Sequence, residues 1–477
     1  MSRGARVALN SVWLFASEGL RRAIAFVVIF LVGRSLAVDD FGRFRLAQSF
    51  FVIALVAATF GLTPLITKRI AAGERDESRF LGNVYGLKIL LALIVLGIAT
   101  LLASLMGYDR PTFLAIVVMA LAIPAESLAS THFALYDGRQ AMQLNGIVDF
   151  ARGLVLLALI AAAVFLHWGL IGILAAYVAH YAFGAILAHA LSSARVVRFG
   201  FRFEWSEWKA ILQQALPFVA IGIVWVVTFR IDMVLLSLMR NETAVGYYGA
   251  AYSIFEILLV LPNVLTRALF PALAGSSSEG GDGELMRKAV RVFALVALPV
   301  GVGIALTATS AVTLVFGEKY APGGRALAVM GGPLALWFCT MGFSWALTAR
   351  NQIRYVLRAN LVALGVRVVA NLILIPRYDY LGAAIAAVIS ESAYFAVIIG
   401  PVHREVLRID RSLVHPGTIA ATVLMAGCVM GLGNRPLWIV VPAGMVVFAA
   451  VGWASGALRE PFIVSAWSGL RARMARS

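Results

Sequence analysis

The sequence predicts an all-α protein that crosses a membrane many times. Of its 477 residues, 61% are hydrophobic and only 13% are charged, whereas a soluble protein is about 45–50% apolar and 25% charged. The hydrophobic residues form runs longer than the roughly 20 residues that a helix needs to cross a bilayer. Charged residues nevertheless stand inside several runs, and a charge at mid-bilayer costs about 2.5–3.5 kcal/mol. We therefore expect these helices to turn their charges toward protein or water.

Fourteen apolar runs predict fourteen transmembrane helices. Two of the breaks between them are very short, at Leu166–Gly169 and Asn434–Pro436, and predict tight helical hairpins. The predicted spans are 9–35, 44–68, 81–106, 112–135, 146–167, 169–191, 211–239, 246–273, 288–316, 323–349, 355–375, 380–401, 413–433 and 436–457.

The basic residues of the loops predict the orientation. The net charge is +16, and most loop arginines fall on the side of the N-terminus. Because cytoplasmic loops are enriched in Lys and Arg, we interpret this charge as membrane orientation and expect no nucleic-acid partner. An even number of spans then places both termini in the cytoplasm.

An internal repeat indicates two similar halves. Residues Asp40–Phe51 align without gaps with Ala244–Phe255, so that Gly42 matches Gly246. Transporters are often built from such repeats, with the substrate site between them. Further matches in the alignment are Ala47 with Ala251, Ser49 with Ser253, Phe51 with Phe255 and Phe44 with Tyr248.

The predicted halves are joined by the longest polar segment of the chain. Residues 1–191 form an N-terminal lobe and residues 211–405 a C-terminal lobe, separated by a cytoplasmic linker at 192–210. The linker contains Trp205, Trp208 and several arginines, which suit a short amphipathic helix on the inner surface. Residues 406–477 hold two further spans and a cytoplasmic tail.

Four cations are predicted in the inner half of the membrane. Arg21 and Arg22 lie roughly 15–20 Å inside the start of span one, and Lys88 and Arg267 about 10 Å inside spans three and eight. Guanidinium forks match the oxygens of phosphate groups. The sequence therefore predicts a diphosphate site opening inward, to which Arg230 in span seven is a further candidate contributor.

Acidic residues within spans are the candidates for ion coupling, since a carboxylate in a low dielectric can be tuned to titrate. Glu256 shares a face of span eight with Arg267, while Asp232 lies on nearly the opposite face of span seven from Arg230. Glu126 is isolated in span four. Each acid has an alternative role as a structural partner of a cation.

Other charges suggest pairs within the protein. Glu18 precedes Arg21 and Arg22 by one helical turn, so one of these arginines has an ion pair available and the other can reach the membrane surface. Asp149 and Arg152 have the i,i+3 spacing of a structural pair. We also expect Arg367 and Glu391, on consecutive helices, to pair.

Signals of an enzyme are absent from the sequence. The six His residues show no metal-ligand spacing, and no phosphate-binding Gly-rich loop indicates an ATP motor. Cys339 and Cys428 lie in apolar runs and are expected to be buried thiols. We therefore expect no catalytic residues, metal or cofactor apart from a coupling H⁺ or Na⁺.

Six segments resemble the Wzx-like bacterial polysaccharide flippases of the multidrug/oligosaccharidyl-lipid/polysaccharide exporter superfamily. They run through most of the chain in matching order. They are GRSLAVDDFGRFRLAQSF at 33–50, FGLTPLITKRIA at 60–71, RIDMVLLSLMRNETAVGYYGAAYSI at 230–254, LPNVLTRALFPALA at 261–274, LVFGEKYAPGG at 314–324 and LIPRYDYLGAAIAAVISES at 374–392.

The resemblance implies two six-helix lobes related by a pseudo-two-fold axis, two extra C-terminal helices and a central cavity. It implies a transporter of the bacterial inner membrane that moves an undecaprenyl-diphosphate-linked oligosaccharide to the outer leaflet by alternating access, for O-antigen, capsule or exopolysaccharide export. Related lipid II flippases use arginines in spans one and eight, the helices that hold Arg21, Arg22 and Arg267 here. Membrane lipids and a glycan polymerase or export machinery are the implied partners.

Two alternatives stay open at this point. One is a multidrug or lipid II exporter of the same superfamily. The other is a membrane glycan polymerase or ligase, although such enzymes typically have a large outer loop and the sequence contains none.

Overall fold

The computed structural model describes residues 19, 21–262, 282–350, 352–408, 410, 413–433 and 435–459. All regular structure in these ranges is helical, without strands. Twelve of the described helical segments are long and apolar enough to cross a membrane. The prediction of an all-α polytopic protein is confirmed. The count of fourteen stays a prediction, since residues 21–35 form a helix whose start is not described and Pro416–Leu432 is a shorter apolar helix.

The chain divides into two compact units, Met1–Gly246 and Tyr247–Ser477. In the first unit, α2 lies at the centre and packs against α4, α5, α6 and α9. The helices of this unit are α1 (21–35), α2 (Val38–Thr59), α3 (Leu62–Ala71), α4 (Glu77–Leu105), α5 (Arg110–Ala120), α6 (Ala122–Gly138), α7 (Met142–Phe165), α8 (Gly169–Arg195) and α9 (Trp205–Met239), and α10 (Glu242–Leu258) begins here.

The second unit is built from paired helices. Its closest pairs are α11 with α12 and α13 with α14, while α15 and α16 pack on each other and on α11. Met425, Val429 and Val440 form the apolar contact of the last pair, with Val302 of α11 beside them. The helices are α11 (Asp282–Phe316), α12 (Gly323–Ala349), α13 (Ile353–Tyr378), α14 (Tyr380–Glu405), α15 (Pro416–Leu432) and α16 (Leu437–Ala454).

Predicted span two is broken, so the expectation of one helix over 44–68 is wrong. The helix α2 ends at Thr59, and α3 begins at Leu62. Phe60 and Gly61 between them have φ values of 45° and 62°, in the left-handed region. A Cβ at Gly61 would lie 2.8 Å from the Cβ of Phe218. The close approach of α9 therefore requires glycine at this turn.

Predicted span four bends at Leu121, where α5 ends and α6 begins. Pro124 explains the bend, because proline lacks the N–H that would bond to the carbonyl of residue 120 and its ring crowds that carbonyl. The two halves together form a 29-residue segment, Arg110–Gly138, long enough to cross a bilayer.

Both predicted tight hairpins are confirmed. The first connects α7 and α8, with His167 and Gly169 at φ values of 54° and 63°. The second connects α15 and α16, with Gly433 at a φ of 54°. Each pair of helices packs side by side.

The predicted amphipathic helix of the linker is wrong. The helix α8 continues to Arg195, residues 196–204 are not helical, and Trp205 is the first residue of α9. Trp208 is only 2% exposed, in the core beside α4. The backbone of the linker bonds to α4 instead of to itself, since the N–H of Arg202 donates to the carbonyl of Gly82 at 3.1 Å.

Candidate functional site

The two repeat segments meet where each begins. A Cβ on Gly42 would collide with the carbonyl of Glu242, and a Cβ on Gly246 would collide with the carbonyl of Val38. Val38 precedes Gly42 by four residues, as Glu242 precedes Gly246. Position 38 in the first half therefore corresponds to position 242 in the second, as 42 corresponds to 246. The contact of Gly42 with Glu242 and that of Gly246 with Val38 are thus equivalent. The two contacts are reciprocal. We call them the repeat junction.

Polar side chains surround the repeat junction. Thr243 Oγ1 donates to Asp39 Oδ1 at 2.6 Å. Arg43 bonds to Asp40 at 2.9 Å and to Asp109 at 3.0 Å. Its Nε also donates to Thr112 Oγ1 at 3.2 Å.

These bonds connect three helices. Thr112 Oγ1 donates to Glu242 Oε1 at 3.0 Å, so α2, α5 and the start of α10 are joined through Arg43 and Thr112. Partial burial alone would raise the pKa of the Asp109 carboxyl. The hydrogen bonds from Thr112 and the charge of Arg43 outweigh that effect and lower it. Asp109 is thus held in the charged form that pairs with Arg43.

A second group of charges lies inside the first unit, on α4, α6 and α7. Lys88 is fully buried, and its Nζ donates to Ser130 Oγ at 2.7 Å and to the carbonyl of Ser127 at 3.2 Å. Ser127 follows Glu126 in the chain. The ammonium group is therefore held against α6, and its predicted role in diphosphate binding stays a prediction.

Arg152 bridges two carboxylates in this group. Its Nη1 lies 2.9 Å from Glu126 Oε2, and its Nη2 lies 2.7 Å from Asp149 Oδ1. The predicted pair of Asp149 and Arg152 is confirmed. The description of Glu126 as isolated is wrong, because Arg152 reaches it from the next helix. We call Lys88, Glu126, Asp149 and Arg152, two basic and two acidic residues, the inner charge cluster.

The other predicted site residues are only partly placed. Arg21 is exposed and Arg22 half-buried on α1, and Glu256 is half-buried on α10. On α9, Arg230 is half-buried and Asp232 is 1% exposed. Glu18 and Arg267 lie outside the described residues. The predicted gathering of these charges around a cavity stays a prediction.

Sequence reasoning missed several polar residues of the first unit. Arg45 is buried in α2, and its Nη1 donates to Gln48 Oε1 at 2.9 Å. His132 is fully buried on α6, with Nδ1 2.8 Å from Ser192 Oγ of α8. The sequence does single out Arg45, since the stretch DFGRFRL places it inside the repeat. His132 has no comparable signal, because its partner lies 60 residues away.

The second unit has a polar group of its own on α12 and α14. Thr340 Oγ1 donates to Glu391 Oε1 at 2.8 Å, and Ser344 Oγ lies 2.7 Å from Tyr394 OH. Arg367 is 5% exposed on α13. The expected pairing of Arg367 with Glu391 stays a prediction.

Comparison with known proteins identifies the family. Residues 7–277, more than half of the chain, match the family described as polysaccharide biosynthesis protein. A probable low-salt glycan biosynthesis flippase of Haloferax volcanii, Agl15, is 23% identical over 407 residues, which are 80% of this chain and 81% of that protein. The teichuronic acid biosynthesis protein TuaB of Bacillus subtilis is 33% identical over 95 residues, 19% of each chain.

Solved structures share the fold. The lipid II flippase MurJ, in an inward closed conformation, has a TM-score of 0.77 at 12% identity, covering 94% of this chain and 99% of that one. An inward-facing multidrug transporter of the MATE family has a TM-score of 0.65 at 17% identity, covering 80% and 94%. The chain belongs to the polysaccharide biosynthesis protein family.

Proposed function

We propose that the protein is a flippase that moves an undecaprenyl-diphosphate-linked oligosaccharide from the cytoplasmic to the outer leaflet of the bacterial inner membrane. The glycan serves O-antigen, capsule or exopolysaccharide assembly, and a polymerase or export machinery receives it. The observation that carries the proposal is the similarity to a glycan biosynthesis flippase over 80% of the chain. The MurJ-like fold supports it, because a lipid II flippase also handles a lipid-linked saccharide.

In the proposed mechanism, arginines bind the diphosphate while the sugar moves through a polar path and the polyprenyl tail stays in lipid. Arg21, Arg22, Arg230 and Arg267 are the proposed ligands, since guanidinium groups pair with phosphate through two hydrogen bonds. Lys88 would attract the diphosphate through its charge without binding it directly, because Ser127 and Ser130 already hold its ammonium group.

Alternating access needs two states of the helix bundle, and the repeat junction is a proposed point of closure. Its polar bonds, between Asp39 and Thr243 and around Arg43, are replaceable by water when the segments separate. A coupling H⁺ or Na⁺ is proposed to act at Glu18, Glu126, Asp232 or Glu256. Both termini are proposed to be cytoplasmic.

The experiment is reconstitution of the full chain in vesicles with a fluorescent lipid-linked oligosaccharide. Flipping is measured as the fraction that becomes accessible to a membrane-impermeant quencher. We expect the double variant Arg22→Ala, Arg267→Ala to lose flipping at unchanged protein level. A matched control replaces two exposed arginines of the second unit, Arg358→Ala and Arg404→Ala, and should retain it.

Three results would count against the proposal. Full activity of the double variant would remove the diphosphate role of these arginines. Glycan elongation by the purified protein would favour a polymerase or ligase. If a deletion strain gains sensitivity to cationic drugs while keeping its surface glycan, the multidrug alternative, which the MATE-like fold keeps open, would replace the flippase.

A further inference from the structure

The linker between α8 and α9 is fixed against α4. Its backbone lies so close to that helix that a Cβ on Gly82 would be 2.6 Å from the carbonyl oxygen of Gly200. The N–H of Glu204 donates to Asn83 Oδ1 at 2.9 Å, and Asn83 Nδ2 donates back to Glu204 Oε1 at 3.1 Å. The linker residues are therefore presented from a rigid support.

The carboxylates around the linker are already paired. Glu204 accepts two bonds from Arg79 Nε, at 2.9 and 3.1 Å, and Glu207 lies 3.6 Å from Arg79. Glu77 accepts from Arg139 at 2.7 Å. Two arginines, Arg79 and Arg139, thus pair with these three carboxylates.

Three other arginines at the linker are placed to bind an anion. Arg195, Arg198 and Arg202 are exposed, and none of them forms an ion pair within the part of the chain that the structure describes. Arg198 Nε donates only to a backbone carbonyl, that of Ser193, at 3.2 Å. The linker therefore carries a net positive charge.

Large aromatic side chains stand between these arginines and face outward. Phe201 and Phe203 are each 61% exposed and Trp205 is 67% exposed. The ring of Phe201 lies beside Gly86 of α4, 3.1 Å from where a Cβ would be. One turn further along α4, Leu90 and then Leu93 and Ile94 are exposed at 43–54%, as expected of a lipid-facing helix surface. The aromatic residues thus continue the exposed apolar surface of a helix long enough to cross a membrane.

The linker lies where α8 ends and α4 begins, at an end of two membrane-spanning helices. Aromatic rings prefer the interface between hydrocarbon and headgroups, and basic residues there attract anionic lipids. We propose that Arg195, Arg198, Phe201, Arg202, Phe203 and Trp205 form a binding site for anionic phospholipids, and we call these six residues the linker patch. The guanidinium groups bind headgroup phosphates, and the rings enter the boundary of the acyl chains.

The test is lipid binding to the purified full-length protein, measured by native mass spectrometry in a neutral detergent. The probes are phosphatidylglycerol, phosphatidylcholine and undecaprenyl diphosphate. We expect the triple variant Arg195→Gln, Arg198→Gln, Arg202→Gln to bind phosphatidylglycerol roughly 100-fold more weakly, since each of the three basic residues near a membrane surface contributes about 1 kcal/mol.

A matched triple variant removes the same charge from exposed arginines of the second unit, Arg358→Gln, Arg404→Gln and Arg408→Gln, and should bind phosphatidylglycerol as the wild type does. Equal loss in both triple variants would overturn the proposal, because it would show a general charge effect. Loss of undecaprenyl diphosphate binding alone would also overturn it and would assign the patch to the transported lipid.

A second variant, Phe201→Ser with Phe203→Ser, should weaken phosphatidylglycerol binding with all arginines in place, and unchanged binding would exclude the rings from the site.

Discussion

Thr243 donates a hydrogen bond from Oγ1 to Oδ1 of Asp39 at 2.6 Å, and the two residues occupy the same position in the two repeats. The same separation of 204 residues relates Gly42 to Gly246 and Val38 to Glu242. The repeat junction therefore brings equivalent positions together, and it gives the repeat a physical meaning beyond twelve aligned residues.

The two glycines of the junction allow backbone contact. We expect Gly42→Ala or Gly246→Ala to lower the free energy of unfolding by about 1–3 kcal/mol, the usual cost of overpacking, measured by thermal unfolding in detergent. Because both added methyl groups would separate the same two segments, the double variant should lose less stability than the two single variants together. The control is Gly97→Ala on α4, where a Cβ meets nothing within 4 Å. A control that destabilises as much as Gly42→Ala would contradict the explanation.

Cross-linking the junction should stop a transport cycle that opens it. After replacement of Cys339 and Cys428 by Ala, we expect Asp39→Cys with Thr243→Cys to form a disulfide on oxidation, because the native side-chain oxygens are in hydrogen-bond contact. Flipping in vesicles should then be lost and should return with a reductant. The single-cysteine variants should be insensitive to oxidation. Normal flipping by the cross-linked protein would mean that the junction stays closed throughout the cycle.

The sequence was sufficient for what depends on local pattern. Apolar runs long enough to cross a bilayer as a helix predicted the helices. Short polar breaks between them predicted the hairpins at His167 and Gly433. The i,i+3 spacing of Asp149 and Arg152 predicted their pair because both residues belong to one helix.

What the sequence could not show depends on distant contacts. The turn at Gly61 is in close contact with Phe218 of α9, which lies more than 150 residues further along the chain. Glu126 looked isolated because Arg152 reaches it from 26 residues along the chain. The linker composition suited an amphipathic helix, but Asn83 and Gly82 of α4 supply the bonds that keep it extended.

The inner charge cluster should be sensitive to the loss of one partner. We expect Arg152→Met to destabilise the protein by about 3 kcal/mol, because the largely buried Glu126 would then lack its cation. Adding Glu126→Gln to this variant should restore part of the stability. Thermal unfolding measures both, with Arg358→Met on an exposed surface as the control. If Glu126→Gln instead worsened Arg152→Met, the two residues would not act as a pair.

The linker should detach from α4 in acid. The hydrogen bonds from Arg79 and Asn83 and the charge of Arg79 lower the pKa of the half-buried Glu204 carboxyl below its ordinary value of 4.5. Since the folded form favours the charged carboxylate, the stabilisation is complete above pH 4.5 and is lost as the pH falls through the lowered pKa. We expect Glu204→Gln to speed hydrogen exchange in residues 196–204 at pH 7, and the wild type to approach that variant only in acid. Glu318→Gln, at an exposed carboxylate, should leave linker exchange unchanged. Equal exchange in wild type and Glu204→Gln at pH 7 would show that the glycine contacts of α4 hold the linker without the carboxylate.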